Sequence, residues 1–196
     1  MISKLIAITG GIGSGKSVVS QLLRTMGFTV YDCDERAKWV MTYDDQLRNE
    51  LCRLFGADTY LPTADGTWVL NRSYLASRIF ASADALAQMN ACVHPAVWRD
   101  LKVQFEAERH DRFFFESAIL FESGFDQLSH PDEVWTVSAP LELRIRRAMM
   151  RDNATREKIL SRIASQLPQE EKERRADHTI INDDVHSLIV QTHELL

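Results

Sequence analysis

The feature that most constrains this chain is a glycine-rich segment at residues 10–17, GGIGSGKS. It fits the phosphate-binding (Walker A) pattern G-x-x-x-x-G-K-[ST]. The apolar run at 5–8 predicts a strand before it, and apolar residues three or four apart over 18–26 predict a helix after it. Strand, loop and helix in this order predict an α/β fold that binds the phosphates of a nucleotide.

The residue types of this loop suit that chemistry. Glycines let backbone N–H groups turn toward an anion with no Cβ in the way. The N-terminus of the following helix adds unpaired N–H groups and a partial positive charge. We expect Lys16 to reach the β- and γ-phosphates and the Ser17 hydroxyl to ligate Mg²⁺.

Composition narrows the class of protein. Hydrophobic residues make up 45% of the 196, enough to bury a full core, and the net charge is −5, which disfavours general nucleic-acid binding. The three cysteines, Cys33, Cys52 and Cys92, contain no C-x-x-C pair, and no apolar run approaches the roughly 18 residues of a membrane span. Met1 runs directly into the first strand. We therefore expect a cytoplasmic protein without nucleic-acid, membrane or obligate protein partners.

A second strand is predicted at 28–31, and it ends in Asp32-Cys33-Asp34. On an extended segment these two carboxylates share a face, at the end of the sheet where α/β folds place their chemistry. One is suited to accept a proton from a substrate hydroxyl and one to help hold Mg²⁺. The alternative is that one of them caps a helix starting near Glu35.

From Glu35 to about Gln104 the pattern is mostly helical, which predicts an insertion between the second and third strands. Helices are predicted at 35–43, 45–55, 72–80 and 83–107, the last interrupted at His94-Pro95, with a turn-rich patch at 56–67. Such an insertion is a candidate lid over a second substrate. His94 is either part of that site or an ordinary histidine beside a helix start.

Three further strands are predicted, at 113–115, 134–138 and 178–181. Glu116 ends the first of these strands. Its carboxylate either faces Mg²⁺ through water or interacts favourably with the dipole at the N-terminus of a following helix. The helix opened by Pro140 carries Arg144, Arg146, Arg147 and Arg151. These arginines either form a solvated face or belong to a mobile lid that neutralises a transferring phosphoryl group.

Further helices are predicted from Thr155 to Gln166, after Pro168, and from 185 to 196, where 182–184 provides a turn and cap signal. The whole pattern predicts a three-layer phosphate-loop kinase fold with a five-stranded, mainly parallel sheet, a helical substrate-binding insertion and a small helical lid. A GTPase is disfavoured, because the chain has no N-K-x-D motif. Another small-molecule kinase and a non-catalytic nucleotide-binding module remain alternatives.

The ordered motifs resemble one family in particular. They are TGGIGSGKS at 9–17, VYDCD at 30–34, HP at 94–95, ILFES at 119–123, R-x-x-x-R-D at 147–152, Q at 166 and A-D-x-x-I-x-N at 176–182. This set is similar to the dephospho-CoA kinases, which complete coenzyme A synthesis by phosphorylating dephospho-CoA with ATP and Mg²⁺. The resemblance runs essentially end to end.

The resemblance implies roles for particular residues. Asp34 would be the base for the ribose 3′-hydroxyl of dephospho-CoA, Arg147 the lid arginine with Arg151 in support, and Asn182 a neighbour of the adenine. Arg78 and His94 would belong to the CoA-binding lobe, and Asp32, Asp34 or Glu116 would approach Mg²⁺ through water beside Ser17. The loop residues implied to hold ATP are Gly11, Ile12, Gly13, Ser14, Gly15, Lys16 and Ser17.

The family pattern also implies the layout of one domain. Residues 1–34 and 108–196 would form the nucleotide-binding core, with a lid at about 140–172, and 35–107 the CoA-substrate lobe. One departure concerns the turn after the third strand, where the family often has D-x-P-L-L-F-E. Here Glu116 replaces the aspartate and Ala118 the proline, so we expect the local backbone and its substrate contacts to differ.

Overall fold

The computed structural model describes residues 3–79 and 82–196, and it divides into two compact units. One unit takes in the chain up to Asp32 and again from Phe105, and the other is Cys33–Gln104. The predicted boundaries, at 34/35 and 107/108, lie within three residues of those of these units, and the roles predicted for the two parts stay predictions. The last residue of the helix predicted at 72–80 lies outside the described residues.

The first unit is built on a five-stranded sheet. Its strands are β1 (Lys4–Thr9), β2 (Val30–Asp32), β5 (Arg112–Glu116), β6 (Glu133–Ser138) and β7 (His178–Ile181). They lie in the order β2-β5-β1-β6-β7, with every neighbouring pair parallel. The predicted sheet is confirmed. The apolar runs form strands because a parallel sheet covered on both faces buries successive side chains, not alternate ones.

Helices cover both faces of this sheet. On one face Ile6, Phe114 and Trp135 form a core with Val19 and Leu23 of α1 (Lys16–Thr25). On the other face, Phe115 packs its ring 5.8 Å from that of Phe125 in α6 (Phe125–Ser129). Because neighbouring residues of β5 point to opposite faces, the run 113–115 serves both layers.

The remaining helices of the first unit follow the sheet strands. They are α7 (Leu141–Asp152), α8 (Arg156–Ala164), α9 (Gln169–Arg175) and α10 (Leu188–Glu194). Thr155 caps α8 as predicted, accepting a bond from Lys158 N–H. The last helix begins later than predicted, because the carboxylate of Asp183 accepts the N–H groups of Val185 and His186 and holds them in a turn.

The second unit contains α2 (Cys33–Tyr43), α3 (Asp45–Phe55), α4 (Arg72–Ile79) and most of α5 (Ala83–Glu106). It also contains an antiparallel hairpin of β3 (Tyr60–Pro62) and β4 (Trp68–Leu70), neither of which was predicted. β3 lies inside the turn-rich patch predicted at 56–67, and β4 follows that patch directly. The Tyr60 hydroxyl donates to the Met41 carbonyl at 2.5 Å, and burial raises the pKa of Tyr60 to about 12. This bond ties the hairpin to α2.

Two sequence expectations about these helices are wrong. α5 runs unbroken through Pro95, because burial of Val93, Ala96, Val97 and Leu101 around it outweighs the lost backbone bond. α2 begins at Cys33, directly after β2 ends at Asp32. Asp34 therefore lies in the first turn of a helix, and the extended segment that would give Asp32 and Asp34 one shared face does not exist.

Candidate active site

The phosphate loop connects the central strand β1 to α1, where its backbone requires glycine. Gly13 has φ 76° and Gly15 has φ 99°, in the left-handed region that glycine favours. A Cβ on Gly13 would lie 2.1 Å from the Arg144 carbonyl oxygen, and one on Gly15 would lie 2.0 Å from the Asn182 amide nitrogen. The loop is therefore packed closely between α7 and the turn after β7.

The inner half of the loop has free donors. Within the described residues, the backbone N–H groups of Gly13, Gly15 and Ser17 donate no hydrogen bond. They lie at the N-terminus of the ten-residue α1, where the helix dipole adds positive potential. Lys16 is buried and its ammonium donates to the Gly10 carbonyl at 2.9 Å. The segment thus offers amide donors and a cation to a polyphosphate.

Two carboxylates stand at adjacent strand ends near this loop. Asp32 ends β2 and Glu116 ends β5, and they are register partners in the parallel pair. Glu116 Oε2 accepts the hydroxyl of Ser20 in α1 at 2.6 Å, which fixes the carboxylate against the helix that follows the loop. A loop, not a helix, follows Glu116, so its alternative role at a helix N-terminus is wrong.

The turn after β7 joins the predicted Asn182 and Arg147 to the loop. Asn182 is buried, and its amide nitrogen donates to the Ser14 carbonyl at 2.8 Å. Arg147 donates to the Asn182 carbonyl at 3.0 Å and to its side-chain oxygen at 3.2 Å, and it also pairs with Asp184 at 2.5 Å. Sequence reasoning placed these residues in one site, and here they form one network.

Arg151, predicted to support Arg147, engages a different partner. Its guanidinium makes two bonds to Asp152, with Nε at 2.7 Å from Oδ1. Arg162 of α8 donates to the same carboxylate at 2.6 Å. Arg151 therefore contributes to the joint between α7 and α8 in this structure.

An open groove of about 800 Å³ runs beside the loop, between α1 and the segment that follows β7. Ser17, Val18 and Leu22 line one side, and Asn182 and Val185 line the other. The groove begins at the hydroxyl that ends the phosphate loop and continues along apolar side chains. Its chemistry suits a nucleoside attached to phosphates held by the loop.

The second unit carries the residues expected to meet the acceptor. Asp34 lies in the first turn of α2, and His94 lies within α5. Arg78 lies in the last turn of α4, with its guanidinium carbon 5.0 Å from the ring centre of Tyr74. Burial lowers the pKa of His94, which favours the neutral form of its imidazole. His94 thus offers a hydrogen bond rather than a charge.

This unit also contains an apolar pocket of about 260 Å³. Met41, Leu75 and Met89 are among its lining residues, and Lys38 and Arg72 supply cations. The combination suits a ligand that carries both an apolar arm and an anionic group. Sequence reasoning did not anticipate this pocket, since its residues come from three helices and a hairpin strand.

Three side chains against the loop were also missing from the predicted site. Arg144 is 5% exposed and donates to the Ile12 carbonyl at 3.1 Å, while Gln166 and Gln169 accept from the Ile12 and Gly11 amides. The spacing of residues could not predict the contacts of the two glutamines, because they lie more than 150 residues after the loop in the sequence. Gln166 entered the sequence argument only as part of the family resemblance.

Comparison with known proteins agrees with this description. The sequence profile of dephospho-CoA kinase matches residues 4–187. Dephospho-CoA kinase of Bacteroides fragilis is 46% identical over 97% of this chain and 90% of its own, and that of Porphyromonas gingivalis is 44% identical over 95% and 89%. A Thermus thermophilus crystal structure covers 100% of this chain and 96% of its own, with 34% identity and a TM-score of 0.83.

More distant structures share the fold. Shikimate kinase from Acinetobacter baumannii covers 98% of this chain and 90% of its own, at 13% identity and a TM-score of 0.53. A parallel five-stranded sheet opened by a phosphate loop, with a helical insertion, defines a phosphate-loop kinase. Within that class, this chain belongs to the dephospho-CoA kinase family. Every helix in the part of the chain that the structure describes is too short or too polar to span a bilayer.

Proposed function

We propose that this protein transfers the γ-phosphoryl group of ATP to the ribose 3′-hydroxyl of dephospho-CoA, giving coenzyme A and ADP. The observation that carries the proposal is the phosphate loop, with three donor N–H groups that no described residue satisfies, in a chain 46% identical to a dephospho-CoA kinase. The loop residues Gly11–Ser17 hold the phosphates. The nucleoside occupies the groove that Asn182 lines.

Mg²⁺ fits the donor set of the first unit. The Ser17 hydroxyl and the carboxylates of Asp32 and Glu116 are the oxygen ligands that this cation prefers, and it usually keeps several of its waters. Ser17 would bind it directly and one of the acids through water. The bound cation supplies positive charge that offsets the charge developing on the phosphates.

The remaining roles concern proton transfer, acceptor binding and charge stabilisation. Asp34 accepts the proton of the 3′-hydroxyl as general base, and Arg78 and His94 contact the acceptor. Lys16 and Arg147 stabilise the charge on the transferring group, with Arg151 holding the lid helices. Closure of the lid excludes water that would otherwise receive the phosphoryl group.

An acceptor panel tests this function against other kinases with the same fold. ADP release is measured with Mg·ATP and, in separate reactions, dephospho-CoA, shikimate, gluconate and nucleoside monophosphates. We expect kcat/KM for dephospho-CoA to exceed that for every other acceptor by at least 100-fold. Preference for another acceptor contradicts the proposal, and ATP binding without acceptor-dependent ADP identifies a non-catalytic module.

A further inference from the structure

The outer turn of the phosphate loop, at Gly11 and Ile12, is bonded to side chains from distant helices. The Gly11 amide donates to Gln169 Oε1 at 3.2 Å, and the Ile12 amide donates to Gln166 Oε1 at 2.8 Å. The Ile12 carbonyl accepts from Arg144 Nε at 3.1 Å. Three polar groups of the backbone at these two residues are therefore held by side chains.

The two halves of the loop thus differ in kind. The outer turn has its backbone groups satisfied by the protein, whereas the Gly13, Gly15 and Ser17 amides have no acceptor among the described residues. A glycine-rich loop loses much conformational freedom when it orders around a ligand. Fixing the outer turn in advance lowers that cost at the half that meets the phosphates.

Both glutamines are themselves fixed. Gln169 is buried at 9% exposure, and its Nε2 donates to Glu173 at 3.3 Å. The same Glu173 oxygen accepts the Ser138 hydroxyl at the end of β6 at 2.5 Å. Gln166 Nε2 lies 3.4 Å from the Ala118 carbonyl oxygen in the turn after β5. In each glutamine, the contact made by Nε2 orients the side-chain amide so that its oxygen faces the loop.

The segment that carries the glutamines, residues 166–172, is anchored by a buried ion pair. Lys172 is fully buried, and its ammonium lies 2.5 Å from Glu122 Oε1 and 3.0 Å from the Ala118 carbonyl. Glu122 Oε1 also accepts the Leu167 amide at 2.9 Å. The stretch from 166 to 172 is therefore bonded to the turn after β5 as well as to the phosphate loop.

We propose that Gln166 and Gln169 are positioning residues for nucleotide binding, because they hold the outer turn of the phosphate loop in the conformation that accepts phosphates. Gln166 follows α8 by two residues, so the same contact links the end of the helical lid to the loop. The inference rests on the proposed function only in taking ATP as the ligand of the loop.

The test is calorimetric titration with the Mg²⁺ complex of a non-hydrolysable ATP analogue, together with steady-state KM values. Gln166→Met keeps the length of the side chain but removes the acceptor, and we expect the Kd for the analogue to rise at least tenfold. Gln166→Glu keeps an acceptor oxygen, and its Kd should stay within about threefold of the unaltered value. Gln169→Met should also raise the Kd, because it removes the acceptor of the Gly11 amide.

Gln104→Met is the matched control. Gln104 is also partly buried, but its single described bond goes to Asp100 within α5. We expect this variant to leave the Kd within twofold. In Gln166→Met and Gln169→Met, KM for ATP should rise while KM for dephospho-CoA stays unchanged. A general loss of stability would not produce this difference between the two KM values.

Two results would overturn the inference. One is an unchanged analogue Kd in folded Gln166→Met and Gln169→Met, even if their melting temperatures fall. The other is equal impairment of Gln166→Met and Gln166→Glu. If Gln166→Met does not fold, Gln169→Met alone decides. Binding of the ATP analogue does not require an acceptor substrate. If the analogue Kd depends on Gln166 but dephospho-CoA is not the preferred acceptor, only the proposed substrate is rejected.

Discussion

At the scale of single residues, the hydrogen bonds of Arg147 connect this side chain to the phosphate loop. Its guanidinium holds the carbonyl and side chain of Asn182, and Asn182 in turn holds the Ser14 carbonyl of the phosphate loop. About a quarter of the Arg147 side chain, 26%, stays exposed. Arg147 thus reaches the loop through one intermediate residue and keeps part of its surface available to a ligand.

We predict that Arg147→Ala lowers kcat at least tenfold, which corresponds to about 1.4 kcal/mol of barrier. The physical reason is the loss of a delocalised cation from the transferring phosphoryl group. Steady-state kinetics that vary ATP and dephospho-CoA separately provide the measurement.

Arg174→Ala is the control, because Arg174 is 72% exposed and, among residues 3–79 and 82–196, its side chain pairs with Glu171 of the same helix alone. It should leave both kinetic constants unchanged. If Arg147→Ala instead raises KM for ATP with kcat unaffected, Arg147 only anchors Asn182, and its assignment to the transition state is wrong.

At the scale of elements, the turn after β5 is where this chain departs from the usual family pattern. Ala118 opens that turn, and its carbonyl accepts the buried ammonium of Lys172 at 3.0 Å. Its own N–H donates no hydrogen bond within the described residues. A proline here would remove no backbone bond and would leave the carbonyl in place.

We predict that Ala118→Pro raises the free energy of unfolding by about 0.4–1 kcal/mol, because proline reduces the freedom of the unfolded chain. The midpoint of urea unfolding measures the change. Turnover should stay unaltered, since the Lys172 contact is kept.

Ala148→Pro provides the contrast for this variant. Ala148 is buried inside α7, where proline would cost about 3 kcal/mol or more. A lowered midpoint for Ala118→Pro would show that the first turn position cannot adopt the proline φ, and the local backbone would then differ from the family pattern.

The elements also show how far the sequence predicts the fold. Buried parallel strands are continuous apolar runs, so the five strands of the sheet could be located from residues alone. The hairpin of β3 and β4 could not, because three-residue strands give no measurable alternation. The helix break predicted at Pro95 was wrong for a different reason. Burial of the helix on both sides of Pro95 outweighs the loss of a backbone hydrogen bond there.

The same distinction holds at the site. The phosphate loop is a local motif, and its glycines and Lys16 are recognisable from eight consecutive residues. The contacts of Gln166 and Gln169 with that loop depend on side chains meeting across the fold, and no periodicity encodes them. Asp34 was predicted on a strand end, whereas α2 begins one residue before it.

At the scale of the whole molecule, the chemistry is divided along the chain. In the proposed function, the first unit supplies the phosphate loop, Arg147 and the acids at the strand ends. Asp34, the proposed base, is the second residue of the second unit, which begins at Cys33. In the function proposed here, acceptor activation depends on Asp34.

The turnover of Asp34→Asn with dephospho-CoA and Mg·ATP tests this account most directly. The amide cannot accept the 3′-hydroxyl proton, so we predict that kcat falls by at least 100-fold while the Kd for ATP stays within twofold. Asp45→Asn, which changes an exposed carboxylate in the first turn of α3, should retain full turnover. Turnover of Asp34→Asn close to that of the unaltered protein would contradict the account, because Asp34 would then not be the base.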